Sequence, residues 1–402
     1  MPVTPETYAV ILMALWGACV GSFLNVVVFR VPEGLSVVSP PSRCPGCEKK
    51  LAWYDNVPIL GWLWLRGKCR NCKMKISVQY PLVEAFTAIA FAGLTWAYYF
   101  TDLRPVFSEA GLLATWPVLG VHLTLLACMI AATLIDAKLY IIPLGIVWTA
   151  SLVAFLQPVL FQVPNPNAFR LDDPIYLLSM ESLPTGNHWA ALVPVASGVE
   201  AFLALGGMAG LCVSLFLLHH GWLPQSFSEE IELPEGLDAD DPNSILVHPH
   251  PRRETLKELL FLFPVFVGAG SAWLVLQPMA EDFAVLRLDP LAGVLLGYLV
   301  GGGVVWAIRI FGTLLFGKEA MGLGDVHLMA AVGAVIGWRD ATLAFFIAPF
   351  IGIGVVIVTA GVGAVLKGRT RVIPYGPSLC AATLVVMLFR NEIWAYLLPQ
   401  IG

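Results

Sequence analysis

The sequence predicts an all-α polytopic membrane protein with about ten transmembrane helices, and three observations carry that prediction. Of the 402 residues, 58% are hydrophobic and 13% charged, about half the ~25% charge of a soluble domain. Apolar runs close to the ~20 residues that cross a bilayer recur along the chain. The basic residues, finally, divide unequally between the connecting segments, as the positive-inside rule requires. The net charge of −5 is small, and no basic patch interleaved with aromatics occurs beyond the first hundred residues. The expected partner is therefore the lipid bilayer and not nucleic acid.

The candidate spans lie near 7–29, 82–100, 111–135, 139–161, 190–218, 258–277, 290–316, 326–338, 341–366 and 375–396. The first runs from Tyr8 to Phe29 with its first basic residue, Arg30, behind it. A cleaved signal would place charge ahead of a shorter apolar core, so this reads as a retained helix. The eighth span is short, and the ninth follows it across Arg339 and Asp340; nine spans is the alternative count. With the N-terminus outside, the segments 30–81, 136–138, 219–257, 317–325 and 367–374 face the cytoplasm. Together with Arg309 near one edge, they hold all of the 23 basic residues except Arg104, Arg170, Arg287, Arg339 and Arg390.

Two polar stretches interrupt the middle of the chain. Residues 162–189 are rich in Pro and Asn and would lie outside. Residues 221–251 hold Glu229, Glu230, Glu232, Glu235, Asp238, Asp240 and Asp241 with no basic residue, which reads as a solvated loop. His219, His220, His248 and His250 flank it without the regular spacing of a metal site.

Cysteines mark a module between the first two spans. Cys44-Pro-Gly-Cys47 and Cys69-Arg-Asn-Cys72 are paired C-x2-C knuckles, the spacing of a zinc ribbon in which four thiolates converge on a tetrahedral ion. Lys49, Lys50, Arg66, Lys68 and Arg70 stand nearby and would favour thiolate. Two disulfides are the other reading, disfavoured on a reducing side of the membrane. With four protein ligands the zinc would be structural. Cys19, Cys128, Cys212 and Cys380 lie in or beside apolar runs and read as small core residues.

Charges at membrane depth are costly, so each is a candidate site. Asp136 closes the third span, and Asp325 follows Met321-Gly322-Leu323-Gly324 at the start of the eighth; the topology puts both at one face. Paired carboxyls sharing one proton can activate water for amide hydrolysis without a metal. Aspartates that cap helices or pair with Lys138 and Lys318 are the alternative, and position alone favours it slightly. Glu200 within the fifth span reads as facing a neighbouring helix or capping a local water pocket, with a functional role as the alternative. His122 has no evident partner, and His327 lies two residues beyond Asp325.

Taken together, these residues resemble the type IV prepilin peptidase (prepilin leader peptidase/N-methyltransferase) family of G-x-G-D membrane aspartic proteases. The resemblance is carried by Gly21-Ser22-Phe23-Leu24-Asn25 through Arg30-Val31-Pro32, Trp53-Tyr54-Asp55-Asn56-Val57-Pro58, Leu65-Arg66-Gly67-Lys68-Cys69 and Ile76 to Glu84. Lys318-Glu319-Ala320-Met321-Gly322-Leu323-Gly324-Asp325 and Ile373-Pro374-Tyr375-Gly376-Pro377 continue it. It covers roughly 5–160 and 288–400. The resemblance implies a domain over 1–100 with the zinc module, and a peptidase domain over 101–400 interrupted by an insertion at about 164–288 with two extra helices. It implies cleavage of prepilin or pseudopilin leaders at the cytoplasmic face of the bacterial inner membrane, followed by N-methylation with S-adenosylmethionine. Asp136 and Asp325 match the catalytic aspartates, and Cys44, Cys47, Cys69 and Cys72 the zinc ligands. Asn25 and Arg30 are candidates for contact with the methyl donor, whose site is otherwise unassigned. Leu144 after Ile142-Pro143 and His327 depart from the family's usual residues. A peptidase lacking the methyltransferase activity and an ion-coupled secondary transporter are the competing functions.

Overall fold

The computed structural model of the chain describes residues 4–161, 193–196, 198–227, 250–277, 289–366 and 374–397, without the side chains of 359–366. The stretch 162–189, all seven acids of the acidic loop, and His248 lie outside the described residues. The helices are α1 (Pro5–Arg30), α2 (Leu60–Trp64), α3 (Gln79–Phe100), α4 (Pro105–Ala110), α5 (Leu112–Leu139), α6 (Leu144–Leu160), α7 (Val199–His219), α8 (Pro251–Leu276), α9 (Asp289–Phe316), α10 (Leu323–Ile336), α11 (Trp338–Leu366) and α12 (Gly376–Leu397). Among the described residues there is no β-strand, only two isolated bridges in the cysteine module.

Ten of these helices are apolar and correspond one to one with the expected spans. Eight are long enough to cross a membrane, whereas α6 and α10 are shorter. The 14 residues of α10 make about 21 Å of helix, short of the ~30 Å hydrocarbon thickness. Its side chains from Leu328 to Val335 are all buried in protein, so it has no lipid to match. Gly337, at φ 88°, separates it from α11. The expected break at Arg339 and Asp340 is therefore corrected: both residues sit in the first turn of α11. The break falls two residues earlier because glycine tolerates the left-handed backbone that ends a helix. Asp340 is buried there and pairs with Arg390 of α12 at 3.0 Å.

Water drives no helix association inside lipid, so close backbone packing must do it. Gly297 of α9 and Gly333 of α10 face each other so closely that a side chain on either would collide with the other's carbonyl. Gly206 and Gly268 join α7 to α8 in the same way. Those two helices pack on α9, while α1 packs on α3 and both pack on α5. The core runs through α5, α10 and α12, with Leu125, Met129, Ile135, Met329 and Leu379 fully buried.

Candidate functional site

Helix α5 continues past Asp136 to Leu139, ending where Tyr140 adopts a left-handed conformation (φ 57°) and its N–H returns to the Asp136 carbonyl. Asp136 therefore lies in the last turn of the helix and not beyond it, a correction to the sequence-based boundary. The cause is that Ala137, Lys138 and Leu139 all tolerate helix, and only Tyr140 stops it. The Asp136 side chain is buried. Lys138 turns to the Gln79 side chain, at 3.2 Å. Among the described residues the ion pairs include neither Asp136 nor Asp325.

Asp325 sits in the first turn of α10, two residues into the helix, behind Gly322 at the N-cap. Its own N–H donates to the Gly322 carbonyl at 3.2 Å. The carboxylate is partly buried and lies within electrostatic reach of Asp136. Two glycines make this approach geometrically allowed. Gly324 rests against Ile142 in the turn between α5 and α6, where an added Cβ would come within 2.9 Å of the Ile142 Cβ. Gly376 opens α12 directly over Asp136: its N–H donates to Asp136 Oδ2 at 3.0 Å, and a Cβ there would lie 2.6 Å from that oxygen. A helix N-terminus presents unpaired N–H groups and a positive dipole end, so it steadies and orients the carboxylate.

Three helix ends thus meet at one end of the bundle: the C-terminus of α5 and the N-termini of α10 and α12. The Tyr375 hydroxyl lies within electrostatic reach of Asp325, and the Cys380 thiol within reach of both aspartates. Gly376 and Ile142 belong to motifs quoted above, but their place beside the carboxylates has no signal in the sequence, because it depends on which helices pack together. His327 is turned instead to the Trp148 ring on α6, at 6.4 Å between centroids. His122, without a partner in the sequence reading, bonds the Tyr98 hydroxyl at 2.8 Å in the core. Glu200 keeps one buried carboxylate oxygen without a hydrogen-bond partner among the described residues.

The cysteine module is two copies of one knuckle. In each, the first cysteine's carbonyl accepts from the N–H four residues on, Glu48 or Lys73, and that residue has positive φ, 54° and 60°. The flanking residues close as bridges, Arg43 with Lys50 and Lys68 with Lys75, at the same offsets from each pair. The tight turn thus falls on Glu48 and Lys73. Gly46 instead leaves room for the Met74 side chain, whose sulfur an added Cβ would meet. All four sulfurs lie within 4.8 Å of one another, with Cys44–Cys72 at 3.6 Å and Cys47–Cys69 at 4.0 Å. Tetrahedral zinc with Zn–S near 2.3 Å requires sulfurs about 3.8 Å apart, so the donor set fits. N–H groups of Cys72 and Asn71 bring the Cys69 thiol down to about 6. The Met74 N–H lowers Cys72 likewise, but burial and the neighbouring sulfurs outweigh it and carry Cys72 up to about 11. Four sulfurs this close cannot all be thiolates without a cation.

The module is tied to the bundle through α3. Buried Glu84 accepts from the Ile59 N–H at 2.6 Å, fixing the positive-φ residue that starts α2. Within the module, the Arg70 guanidinium grips Asp55 and holds its carboxyl below the usual range. Asn25 donates to the Tyr80 carbonyl at 3.1 Å and Arg30 to the Ser36 carbonyl at 2.9 Å, so both bind chain to chain.

Comparison with known proteins agrees with this arrangement in part and in order. The bacterial peptidase A24 N-terminal domain matches residues 15–98, and the type IV leader peptidase family matches 257–357. The first range holds the four cysteines and the second Asp325, whereas Asp136 lies between them. A prepilin leader peptidase/N-methyltransferase of Myxococcus xanthus is 58% identical over 84 residues, 21% of this chain and 25% of that protein. One from Aeromonas hydrophila is 24% identical over 417 residues, 97% of this chain and 93% of that protein. A type 4 prepilin-like proteins leader peptide-processing enzyme of Escherichia coli is 36% identical over 171 residues, 37% of this chain and 57% of that protein. The higher identities therefore span only a quarter to just over half of those relatives' length. No solved structure matches the chain. The chain is thus similar to type IV prepilin leader peptidases, in its N-terminal segment through 15–98 and in the segment 257–357 that carries Asp325.

Proposed function

We propose that this protein is a membrane aspartic endopeptidase that removes the leader of type IV prepilins or pseudopilins at the cytoplasmic face of the inner membrane, and then methylates the new N-terminus. One observation supports the peptidase reading above the rest. Two carboxylates, distant in sequence and on different helices, come within electrostatic reach of each other at one end of the bundle, and one of them accepts an N–H from a third helix. A transporter would hold such groups near the bilayer midplane.

The chemistry follows from the pair. Two neighbouring carboxyls work with one proton between them, because the second charge is costly beside the first. The ionised member takes a proton from water as the oxygen attacks the scissile carbonyl. The protonated member gives its hydrogen to the carbonyl oxygen, leaving a neutral gem-diol. Collapse of that diol returns one hydroxyl proton to the pair while the departing nitrogen takes another, so the pair ends with its single proton. Gly376 N–H holds Asp136 in the orientation this requires. Bound zinc at Cys44, Cys47, Cys69 and Cys72 would supply a staple for the module, with no open position for substrate.

The methylation reading rests on the names of the relatives, with S-adenosylmethionine as donor. Asn25 and Arg30 are already engaged within the chain, and the donor is assigned to no residue. The test is incubation of the purified chain with a prepilin-like peptide, following leader cleavage and N-methylation separately. Cleavage with no methylation leaves a peptidase alone. Neither reaction with any prepilin-type peptide removes the proposal.

A further inference from the structure

The buried cluster around Arg309 has no part in the chemistry above, yet it ends at the loop that carries Asp325. Arg309 on α9 and Glu258 on α8 are each only 2% exposed. Arg309 Nε donates to Glu258 Oε1 at 3.0 Å, and the other Glu258 oxygen accepts from the Trp306 indole at 2.9 Å. The guanidinium also reaches the loop ahead of α10. Its Nη1 donates to the Glu319 carboxylate and to the Met321 carbonyl, and the Phe227 ring covers it at 4.6 Å. Met321 directly precedes Gly322, the N-cap of α10, and the Asp325 carboxylate folds back over Gly322.

The same loop is also tied back to α9, and the end of α9 in turn to α8. Ala320 N–H donates to the Thr313 hydroxyl at 3.1 Å, and Arg252 of α8 donates to the Leu314 carbonyl at 3.0 Å. The Met321 carbonyl is part-buried against a buried guanidinium, and that fixed donor determines where it points. Only a guanidinium spans these acceptors at once; an ammonium is a point charge without the fork.

We infer that Arg309, set by Glu258 of α8, is a positioning residue that aims the Met321–Asp325 turn at Asp136. Helix α8, which the sequence reading assigns to an insertion, thereby becomes a support of the catalytic loop. The inference rests on the peptidase reading for its consequence but not for its geometry, and its test separates the two. The full-length chain in detergent is compared with Arg309→Lys, Glu258→Gln and Trp306→Phe, the last removing the indole bond to Glu258 while keeping an aromatic ring. Amide hydrogen exchange reads the turn directly. Exchange over 318–325 should quicken about tenfold in the first two variants, with α1, α3 and α5 unchanged. With a prepilin-like peptide, kcat should fall about tenfold while KM stays within about twofold, and Trp306→Phe should show a smaller loss of the same kind. Unchanged exchange with unchanged kcat overturns the inference, as does faster exchange spread through every helix. Local loosening in variants of a chain that cleaves no prepilin peptide upholds the clamp and sinks the peptidase.

Discussion

At the scale of the residue, the central feature is that the two carboxylates differ in surroundings. Asp136 is buried and receives a backbone N–H, whereas Asp325 is partly buried in the first turn of its helix. In the proposed mechanism neither can perform the other's step alone. Asp136→Asn and Asp325→Asn should each lower cleavage by about 10²–10⁴-fold, with the protein still membrane-inserted and extractable in folded form. A turnover assay against the leader peptide decides it, and near wild-type rate in either variant removes that residue from the chemistry. Gly376→Ala is a subtler probe. The new methyl would press on Asp136 Oδ2 and rotate it away from Asp325. Turnover should fall while peptide affinity, measured on an uncleavable analogue, holds steady.

At the scale of the element, two devices can be tested separately. The cysteine module carries few buried apolar side chains of its own, since Trp53, Leu60, Leu63 and Trp64 are exposed. Its order therefore depends on the sulfur cluster, and structural zinc contributes on the order of 10 kcal/mol to modules of this size. Changing Cys44 and Cys69 to Ser should abolish the bound zinc and make 40–75 sensitive to protease, while the helices stay folded. Metal analysis and limited proteolysis read both outcomes; an ordered, protease-resistant segment without zinc contradicts the assignment. The α9–α10 contact is a packing device of the other kind. Gly297→Val forces apart two backbones that touch at Gly333, and overpacking of this sort costs about 1–3 kcal/mol. A lowered unfolding temperature in detergent should appear, together with lost turnover, because α10 begins with the Asp325 turn.

For the whole molecule, the distribution of lysine and arginine argues for the cysteine module on the cytoplasmic side. Single cysteines placed at Lys49 in the module and at Asp102, beyond the far end of α3, should be labelled from opposite sides of the membrane. Lys49 should react only from the cytoplasm. The reverse pattern would invert the bundle and put the aspartates on the side opposite to the proposed site of cleavage. A cysteine at Ser244, in the acidic stretch, should label from the same side as Lys49. Deleting 226–243 removes Phe227, whose ring covers Arg309. That deletion should therefore disturb the Asp325 turn, although the sequence reads the stretch as a solvated loop. Separating Phe227→Ala from a deletion confined to 229–241 distinguishes the two contributions.

What could be read along the chain is what depends on composition and short spacing. Apolar length located the ten apolar helices among the described residues, because the hydrocarbon thickness is a property of the bilayer and not of the fold. The two C-x2-C pairs announced a four-sulfur cluster, and the structure closes it. Asp136 and Asp325 stood out because charge at membrane depth is expensive wherever it occurs. Other features depended on packing between distant segments. Position and charge could not pair Asp136 with the N–H of Gly376, 240 residues away, because a backbone donor has no sequence signature. Arg309 reads in sequence as one more cytoplasmic-side cation, and only the meeting of α8 with α9 makes it the anchor of the Asp325 turn. Helix ends moved for the same reason: Gly337 and Tyr140 end helices through backbone conformation, while hydropathy registers only how apolar a stretch is. Local chemistry determined the parts, and helix packing decided which of them meet.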